Sequence, residues 1–306
     1  MKNIYTISVV MLLSSSIIGQ TTVFNSSNNS SGLAINDGTN TLFVAAYFDD
    51  IIYSIDLNDT NFTPNILTSN INRPNDIEFS DGFLYVSSNP NSMSSDKITR
   101  IDLSDPNLTQ VDIDSTIPNP DGLTIYNNSL YVNSSSNIYK IDLLNNNTTP
   151  ILLIDDSSTS AGETNGLCVF NNYLYVTVFY EKLVKYDLNS SNPTKELVFN
   201  NFEGRGLTVK DDKIYSTGGS PSKIFEINPI NQTSTEIIQA VIPTSWDIIT
   251  NTNSIFISNF EGGEVVKYDF DNLSSIDFEF IKTIIYPNPT NHYFQFKNSQ
   301  NFQNLE

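Results

Sequence analysis

One pattern of residues recurs six times along this chain of 306 residues. Each copy has an aliphatic residue after a small or polar pair, then an aliphatic–aromatic–aliphatic segment, then a segment that ends in Asp or Asn. The aliphatic markers are Leu33, Ile77, Leu123, Leu167, Leu207 and Ile248. The segment ends are Asp56, Asp102, Asp142, Asp187, Asn228 and Asp269. Because both series keep a spacing of 40–46 residues, the chain is predicted to fold as tandem structural repeats.

Each repeat predicts four short antiparallel strands. Polar turns such as "FNNY" and "VKDDK" join the first strand to the second, and helical periodicity is absent. Four short strands per repeat of this length are typical of a β-propeller blade, and six blades close into a ring without open sheet edges. The sequence therefore predicts an all-β, six-bladed β-propeller. "TTVF", at residues 21–24, is predicted to be the strand that closes the ring with the last blade.

The N-terminus has the pattern of a secretory signal peptide. Lys2 precedes an apolar run over residues 7–18, and small Gly19 follows it. The run is too short, and too interrupted by serines, to favour a membrane anchor. Residues 1–19 are therefore interpreted as a signal peptide that is cleaved before Gln20, which predicts a secreted or cell-surface protein.

Composition narrows the range of partners. The formal net charge of −19 disfavours binding to nucleic acid or to an anionic membrane. No later segment reaches transmembrane length, and the single cysteine, Cys168, excludes an intramolecular disulfide. We expect a monomer with a propeller over residues 20–275.

Residues 276–306 do not follow the repeat. They contain "IYPNPTNHYFQF", which holds the only histidine, His292. This stretch resembles the start of the C-terminal sorting domain of type IX secretion in Bacteroidota, a small β-sandwich that opens with Tyr-Pro-Asn-Pro. The resemblance implies an incomplete sorting domain, with type IX export machinery as a partner. The alternative is a polar tail with an accidental "PNP".

The cadence "xGLxxx…LYVxx…I..ID", from about Gly32 to Asn272, resembles that of the NHL-repeat and gluconolactonase (regucalcin-like) group of six-bladed propellers. In that group the residue leading into the first strand of each blade faces the central channel. The resemblance implies that a ring of six side chains lines the ligand-binding end. They are Ser31, Asn75, Asp121, Asn165, Arg205 and Trp246.

Three neighbours in this ring, Asn75, Asp121 and Asn165, are oxygen donors of the kind that Ca²⁺ or another divalent cation prefers. "IPNPDG" and "ETNG" resemble metal-ligand segments of the gluconolactonases, which implies that Asp121 is also a catalytic base. The chain lacks the family's Glu-Gly-Pro segment, and Glu163 or Glu203 could supply a further carboxylate only from a neighbouring loop. The alternative is that these are turn residues chosen for backbone preference.

Arg205 and Trp246 are unusual in the ring, because the other four positions are small or amide-like. A guanidinium and an indole suit a sugar or a small anionic ligand. The alternative is that Trp246 fills the channel as part of the core.

Two functions remain beside the alternative of a purely structural spacer. The first is a non-catalytic binding protein for a small molecule, a glycan or a protein, with Arg205, Trp246, Asn75 and Asn165 as ligand-binding residues. The second is a divalent-metal-dependent, lactonase-like hydrolase that uses Asp121. Nucleophilic and zinc chemistry find no support, since His292 lies outside the repeats and Cys168 lies in a predicted core strand. Paired carboxylates are not indicated at the level of the ring.

Overall fold

A computed structural model describes residues 19–26, 29–90, 95–144, 149–155, 164–178, 182–219, 222–239, 242–273, 285–287 and 294–296. The chain divides into two compact units, Met1–Leu273 and Ser274–Glu306. Residues 1–18 of the predicted signal peptide, Glu163 and His292 lie outside the described residues.

The first unit is the predicted six-bladed β-propeller. Six sheets each hold four antiparallel strands, and in the first five blades the strands follow one another in chain order. Blade 1 contains β2 (Leu33–Asn36), β3 (Thr41–Ala46), β4 (Ile51–Asp56) and β5 (Pro64–Ser69). Blade 2 contains β6 (Pro74–Ser80), β7 (Phe83–Ser88), β8 (Lys97–Asp102) and β9 (Gln110–Asp114). Blade 3 contains β10 (Pro120–Tyr126), β11 (Ser129–Ser134), β12 (Asn137–Asp142) and β13 (Ile151–Asp155).

The second half of the ring continues the same order. Blade 4 contains β14 (Thr164–Phe170), β15 (Tyr173–Val178), β16 (Lys182–Asp187) and β17 (Glu196–Asn200). Blade 5 contains β18 (Gly204–Lys210), β19 (Lys213–Gly218), β20 (Lys223–Asn228) and β21 (Thr233–Gln239). Blade 6 contains β22 (Ser245–Thr250), β23 (Ser254–Asn259) and β24 (Glu264–Asp269). A single helical turn, α1 (Phe270–Leu273), follows β24.

The ring closes as the sequence predicts. β1 (Gln20–Asn25) pairs antiparallel with β24 and supplies the fourth strand of blade 6. Val23 and Phe24 of this strand are buried against Leu33 and Val265, so the N-terminal strand also packs into the core between blades 6 and 1. With β1 in place every blade has four strands, and only short outermost strands are left as edges.

The core lies between neighbouring blades. The aliphatic–aromatic–aliphatic segment of each second strand is almost fully buried, for example Leu130, Tyr131 and Val132 in β11. Its aliphatic residues pack with those of the adjacent strands and of the next blade, which gives six apolar clusters around the ring. The repeated triplet therefore exists because each blade must cover one face of its neighbour.

In the second unit, β25 (Ile285–Pro287) pairs antiparallel with β26 (Phe294–Phe296). Tyr286 and Pro287 of the "YPNP" motif lie in β25, and the motif's last two residues lie outside the described residues. The likeness to a sorting domain stays a prediction. Within the described residues, no helix has the length and apolar character needed to cross a membrane.

Candidate functional site

The first strands surround a cavity of about 240 Å³ at the centre of the ring. Four of the six predicted ring residues line it: Asp121, Asn165, Arg205 and Trp246. Each lies where the first strand of its blade shifts register against the second, as between Pro120 and Leu123 in blade 3. A β-bulge re-aims the side chains at the end of a strand, and here it turns them toward the channel.

The two other predicted ring residues do not line the cavity. Ser31 is fully buried, and its hydroxyl donates to the carbonyl oxygen of Pro74 in blade 2 at 2.9 Å. Asn75 is 5% exposed and its Nδ2 donates to Oδ1 of Asp121. Both side chains bond polar groups of the next blade, and a ligand-binding role for Asn75 stays a prediction.

Asp121 is held from blade 2 on both its main chain and its side chain. The hydroxyl of Ser87 accepts the N–H of Asp76 at 3.0 Å and donates to the carbonyl oxygen of Asp121 at 2.6 Å. The amide of Asn75 bonds the carboxylate. Thr177 in blade 4 makes the same pair of hydrogen bonds. Its hydroxyl accepts the N–H of Gly166 and donates to the carbonyl oxygen of Arg205. These hydrogen bonds fix the position of Asp121 at the cavity.

The guanidinium of Arg205 stacks on Trp246, with Cζ 3.5 Å from the ring centroid. Phe260 stacks on the same indole at 4.2 Å and 24°. The guanidinium and the phenyl ring would overlap on one face, so the indole lies between them. Both faces of Trp246 are therefore covered, and a sugar cannot stack on it in this arrangement. Trp246 instead fixes the plane of Arg205.

Arg205 is a desolvated cation. Burial lowers the pKa of its guanidinium, and the charge of Asp121 opposes that shift. Among the residues that the structure describes, its Nε has no hydrogen-bond partner, and the same is true of Nδ2 of Asn165. Both residues line the cavity. Two buried donors without partners are costly, and an oxygen of a bound ligand would satisfy them once the side chains turn toward the cavity.

Two carboxylates that were not predicted as site residues line the same cavity. Asp76 and Asp247 each follow a ring residue and replace the glycine of the "xGL" pattern in blades 2 and 6. Asp76 accepts the N–H of Ile77 at 2.8 Å and, across the blade boundary, that of Leu123 at 2.7 Å. Each carboxylate oxygen therefore has a backbone donor.

Asp247 repeats this arrangement between blades 6 and 1. It accepts the N–H of Ile248 at 2.7 Å and that of Leu33 at 2.8 Å. Burial raises the pKa of both aspartates, that of Asp247 to about 7, and the charge of each nearby carboxylate adds to the effect. The backbone N–H bonds act in the opposite direction, because they stabilise the ionised form.

Glu78, two residues beyond Asp76, also lines the cavity, so that with Asp121 the cavity holds four carboxyl groups. Burial raises its pKa to about 8, and the charge of Asp247 contributes to the shift. Oε1 of Glu78 accepts the N–H of Ile125 at 3.2 Å. Its surroundings supply one backbone donor, compared with two for each aspartate, so Glu78 is protonated at neutral pH and can donate a proton or a hydrogen bond to a ligand.

These three residues were missed because the prediction considered only the level of the ring. The signal was present in the sequence: "NDI" and "WDI" depart from the "xGL" cadence of the other four blades, and "DIEF" places Glu78 on the same strand. The period of two along a strand puts Asp76 and Glu78 on one face.

The arrangement does not favour a cation at Asn75, Asp121 and Asn165. Asn75 directs a donor rather than an oxygen at Asp121, and Arg205 lies close enough to Asp121 for their charges to interact. No group of three or more His, Cys, Asp or Glu in the described ranges is arranged to hold a metal ion. Glu203 is exposed and does not line the cavity. Cys168 lines the cavity but is 4% exposed, and burial raises its thiol pKa, which disfavours a thiolate nucleophile.

Solved structures with the same fold include several enzymes and binding proteins. A gluconolactonase from Xanthomonas campestris has a TM-score of 0.66 at 12% identity, over 82% of this chain and 89% of that one. Regucalcin, a calcium-binding protein from Agrobacterium tumefaciens, has a TM-score of 0.62 at 10% identity, over 82% and 93%. Virginiamycin B lyase from Staphylococcus aureus has a TM-score of 0.59 at 13% identity, over 82% and 98%. At these identities the likeness shows the fold alone.

No curated protein matches the sequence. The model of a repeat of unknown function, DUF6923, matches residues 9–166, which is just over half of the chain. The chain therefore belongs to the family of that repeat, DUF6923.

Proposed function

We propose that the propeller binds a small polar ligand with a carboxylate group in its channel, and that Arg205 is the partner of that carboxylate. The observation that carries the proposal is a pair of buried donors, Nε of Arg205 and Nδ2 of Asn165, on two residues that line one cavity and without partners among the described residues. Trp246 fixes the guanidinium plane, so little freedom is lost when a carboxylate binds to it.

Charge around the cavity supports a ligand of mixed polarity. Asp121, Asp76, Glu78 and Asp247 line the cavity, and Arg205 is its cation. Ionised aspartates would repel a carboxylate and Arg205 would attract it, whereas hydroxyl groups can donate to Asp121. Asn75 takes part indirectly, because its amide holds Asp121. The expected ligand is therefore a hydroxy acid of the size of one sugar unit.

Calorimetric titration with gluconate tests this proposal. Replacing Arg205 with Gln removes the charge, and we expect affinity to fall at least about tenfold, the loss typical of a charge-assisted hydrogen bond. Arg100→Gln is the matched control, since Arg100 also lies over an aromatic ring, Phe83, but on the third strand of its blade. Equal affinity of the Arg205→Gln and wild-type proteins would refute the role of Arg205.

A second candidate function is lactone hydrolysis at the same site. Asp121 would accept a proton from water as the water oxygen bonds the lactone carbonyl carbon. The donors of Asn165 and Arg205 would stabilise the oxyanion, and the ring oxygen would leave as an alcohol that takes up a proton. The product is a hydroxy acid, whose carboxylate Arg205 is suited to receive. Both the unpartnered donors and the likeness in fold to a gluconolactonase favour this candidate.

Hydrolysis of gluconolactone at constant pH tests the second candidate. Asp121→Asn keeps an acceptor for Asn75 but removes the base, so hydrolysis should fall to the uncatalysed rate. Asp37→Asn is the control, because Asp37 is exposed on a turn away from the cavity. A wild-type protein that does not exceed the uncatalysed rate would leave the binding function as the better proposal.

Binding of Ca²⁺ or another divalent cation stays a prediction. EDTA and then millimolar Ca²⁺ should leave the melting temperature unchanged if Asn75 and Asp121 keep the bond that they form here. A clear rise with Ca²⁺ would show that the amide turns its oxygen toward a cation.

We also propose that the protein is exported and works outside the cytoplasm, as a secreted or surface-attached monomer. The support is the signal-peptide pattern of residues 1–19 and the "YPNP" motif. Fractionation of the native cells tests this, and recovery of the full-length chain with its first 19 residues in the cytoplasm would contradict it.

A further inference from the structure

A cluster of aromatic rings adjoins the channel. Phe48 and Tyr47 lie in the turn between β3 and β4 of blade 1, and Phe260 lies in the corresponding turn of blade 6. The centroid of Phe260 lies 6.2 Å from that of Phe48 and 5.8 Å from that of Tyr47. Because Phe260 also stacks on Trp246 at 4.2 Å, the cluster is continuous with the wall of the channel.

Phe48 is the exposed member of this cluster. Its side chain is 51% exposed, whereas Tyr47 beneath it is 9% exposed and packs edge-on at 5.0 Å. The hydroxyl of Tyr47 donates to the carbonyl oxygen of Asn89 in blade 2 at 2.8 Å, which anchors the turn. The exposed ring of Phe48 therefore rests on a fixed base and contributes little to the core.

Arg73 lies at the far end of the cluster. Its guanidinium lies 5.4 Å from the ring of Phe48 and 5.5 Å from that of Tyr47. Two of the chain's three arginines, Arg73 and Arg205, thus lie at opposite ends of one path of aromatic rings, in a protein with a net charge of −19. Among the described residues the ion pairs are formed by lysines, and neither of these arginines takes part in one.

We infer that Phe48 and Arg73 form an outer subsite, and that the ligand is an acidic oligosaccharide whose terminal unit occupies the channel. This inference rests on the proposed binding of a hydroxy acid beside Arg205. The terminal carboxylate pairs with Arg205, the next sugar unit lays its C–H face on Phe48, and a second carboxylate reaches Arg73. The contacts that join the two guanidinium groups include two ring-to-ring steps, of 4.2 and 6.2 Å, and Phe48 is the exposed ring between them.

The chemistry of the path favours a saccharide over other polyanions. An exposed phenyl ring binds the apolar face of a sugar, and each arginine can hold a carboxylate with two hydrogen bonds. A polyanion without an apolar face would gain from the arginines but not from Phe48. Recognition thus depends on three side chains in order: Arg205 in the channel, the exposed ring of Phe48, and Arg73.

Titration with galacturonate, trigalacturonate and neutral maltotriose tests the inference. The trimer should bind at least about tenfold more tightly than the monomer, because it adds one aromatic contact and one charge-assisted pair. Phe48→Ala and Arg73→Gln should each remove much of that gain and leave the affinity for the monomer unchanged. Ile230→Ala is the matched control, since Ile230 is also strongly exposed but lies between β20 and β21.

The outcomes separate the two proposals. Equal affinities for monomer and trimer would overturn the outer subsite and leave binding in the channel intact. If neither galacturonate nor trigalacturonate binds, both the channel function and the subsite are wrong for this ligand class. Hexaglutamate that binds as tightly as trigalacturonate, or maltotriose that does, would also overturn the inference, because the site would then read charge alone or sugar alone.

Discussion

Replacing Glu78 with Gln should change how the stability of the propeller depends on pH. Glu78 is buried beside two aspartates, and its pKa rises from 4.5 to about 8 in the folded chain. A group whose folded pKa is raised stabilises the fold below its unfolded pKa, and that contribution is lost as pH rises through the folded pKa. Wild-type protein should therefore lose stability between pH 4.5 and pH 8, and Glu78→Gln should remove the part due to this group.

The size of the effect follows from the shift. The full shift corresponds to about 5 kcal/mol, which is an upper bound. Glu78 faces a cavity that admits solvent, so we discount the value to about 2 kcal/mol. For a propeller of this length that is a difference of roughly 4–8 °C in melting temperature between pH 5 and pH 8. Gln keeps an oxygen to accept the N–H of Ile125, so the variant should fold.

The assay is thermal unfolding followed by circular dichroism at pH 5, 6, 7 and 8. Wild type, Glu78→Gln and Glu261→Gln are compared, the last being an exposed glutamate on the turn between β23 and β24. Only Glu78→Gln should flatten the fall in melting temperature. Parallel curves for wild type and Glu78→Gln would show that Glu78 is not buried as a neutral acid, and the reasoning would be refuted.

Three further outcomes are expected. Asp247→Asn should lower the free energy of unfolding in urea by about 1–3 kcal/mol. The amide keeps one acceptor oxygen but places its N–H group against a buried backbone N–H of Leu33 or Ile248. Unchanged stability would mean that these two hydrogen bonds contribute nothing. Cys168 should react with a thiol reagent only on unfolding, and rapid reaction of native protein would contradict its burial. Removal of residues 20–25 should lower the melting temperature strongly and favour association, since β24 would become an open edge; an unaffected, monomeric variant would exclude a closing role for β1.

The fold could be predicted because each repeat has the same order of apolar strand segments and polar turns. The apolar triplets, such as Leu130–Val132, alternate with polar turns at a constant spacing, and only a ring of blades buries all six triplets in equivalent contacts. The closing strand at residues 21–24 was also predictable, because an apolar segment stands alone before the first repeat.

The site could be predicted only in part, because the side-chain direction at a bulge depends on partners that the sequence does not show. Asp121, Arg205 and Trp246 face the cavity as predicted, whereas Asn75 turns to a neighbouring blade. The stacking of Arg205 on Trp246 joins residues 41 positions apart, and no local pattern indicates it. Glu78 was missed because only one position in each repeat was considered, the residue that leads into the first strand, and Glu78 lies three residues beyond it.

The three inner carboxylates are not equivalent, and the difference points to Glu78. Asp76 and Asp247 use both oxygens to bridge blades, and their Cα atoms pack closely against the glycines of the preceding blades: a Cβ on Gly32 would lie 2.5 Å from the Cα of Asp76, and one on Gly206 would lie 2.9 Å from that of Asp247.

The two aspartates therefore work as ties within the ring, each next to a blade that has a glycine at that position. Glu78 has one backbone bond and a raised pKa, and blades 3 and 5 hold threonine at its position in the strand. The fold does not need an acid there, and burying one costs stability at neutral pH. A cost of this kind is typical of a residue that meets a ligand. Glu78, protonated at pH 7, is the residue of the inner channel best suited to donate a hydrogen bond or a proton to what the channel holds.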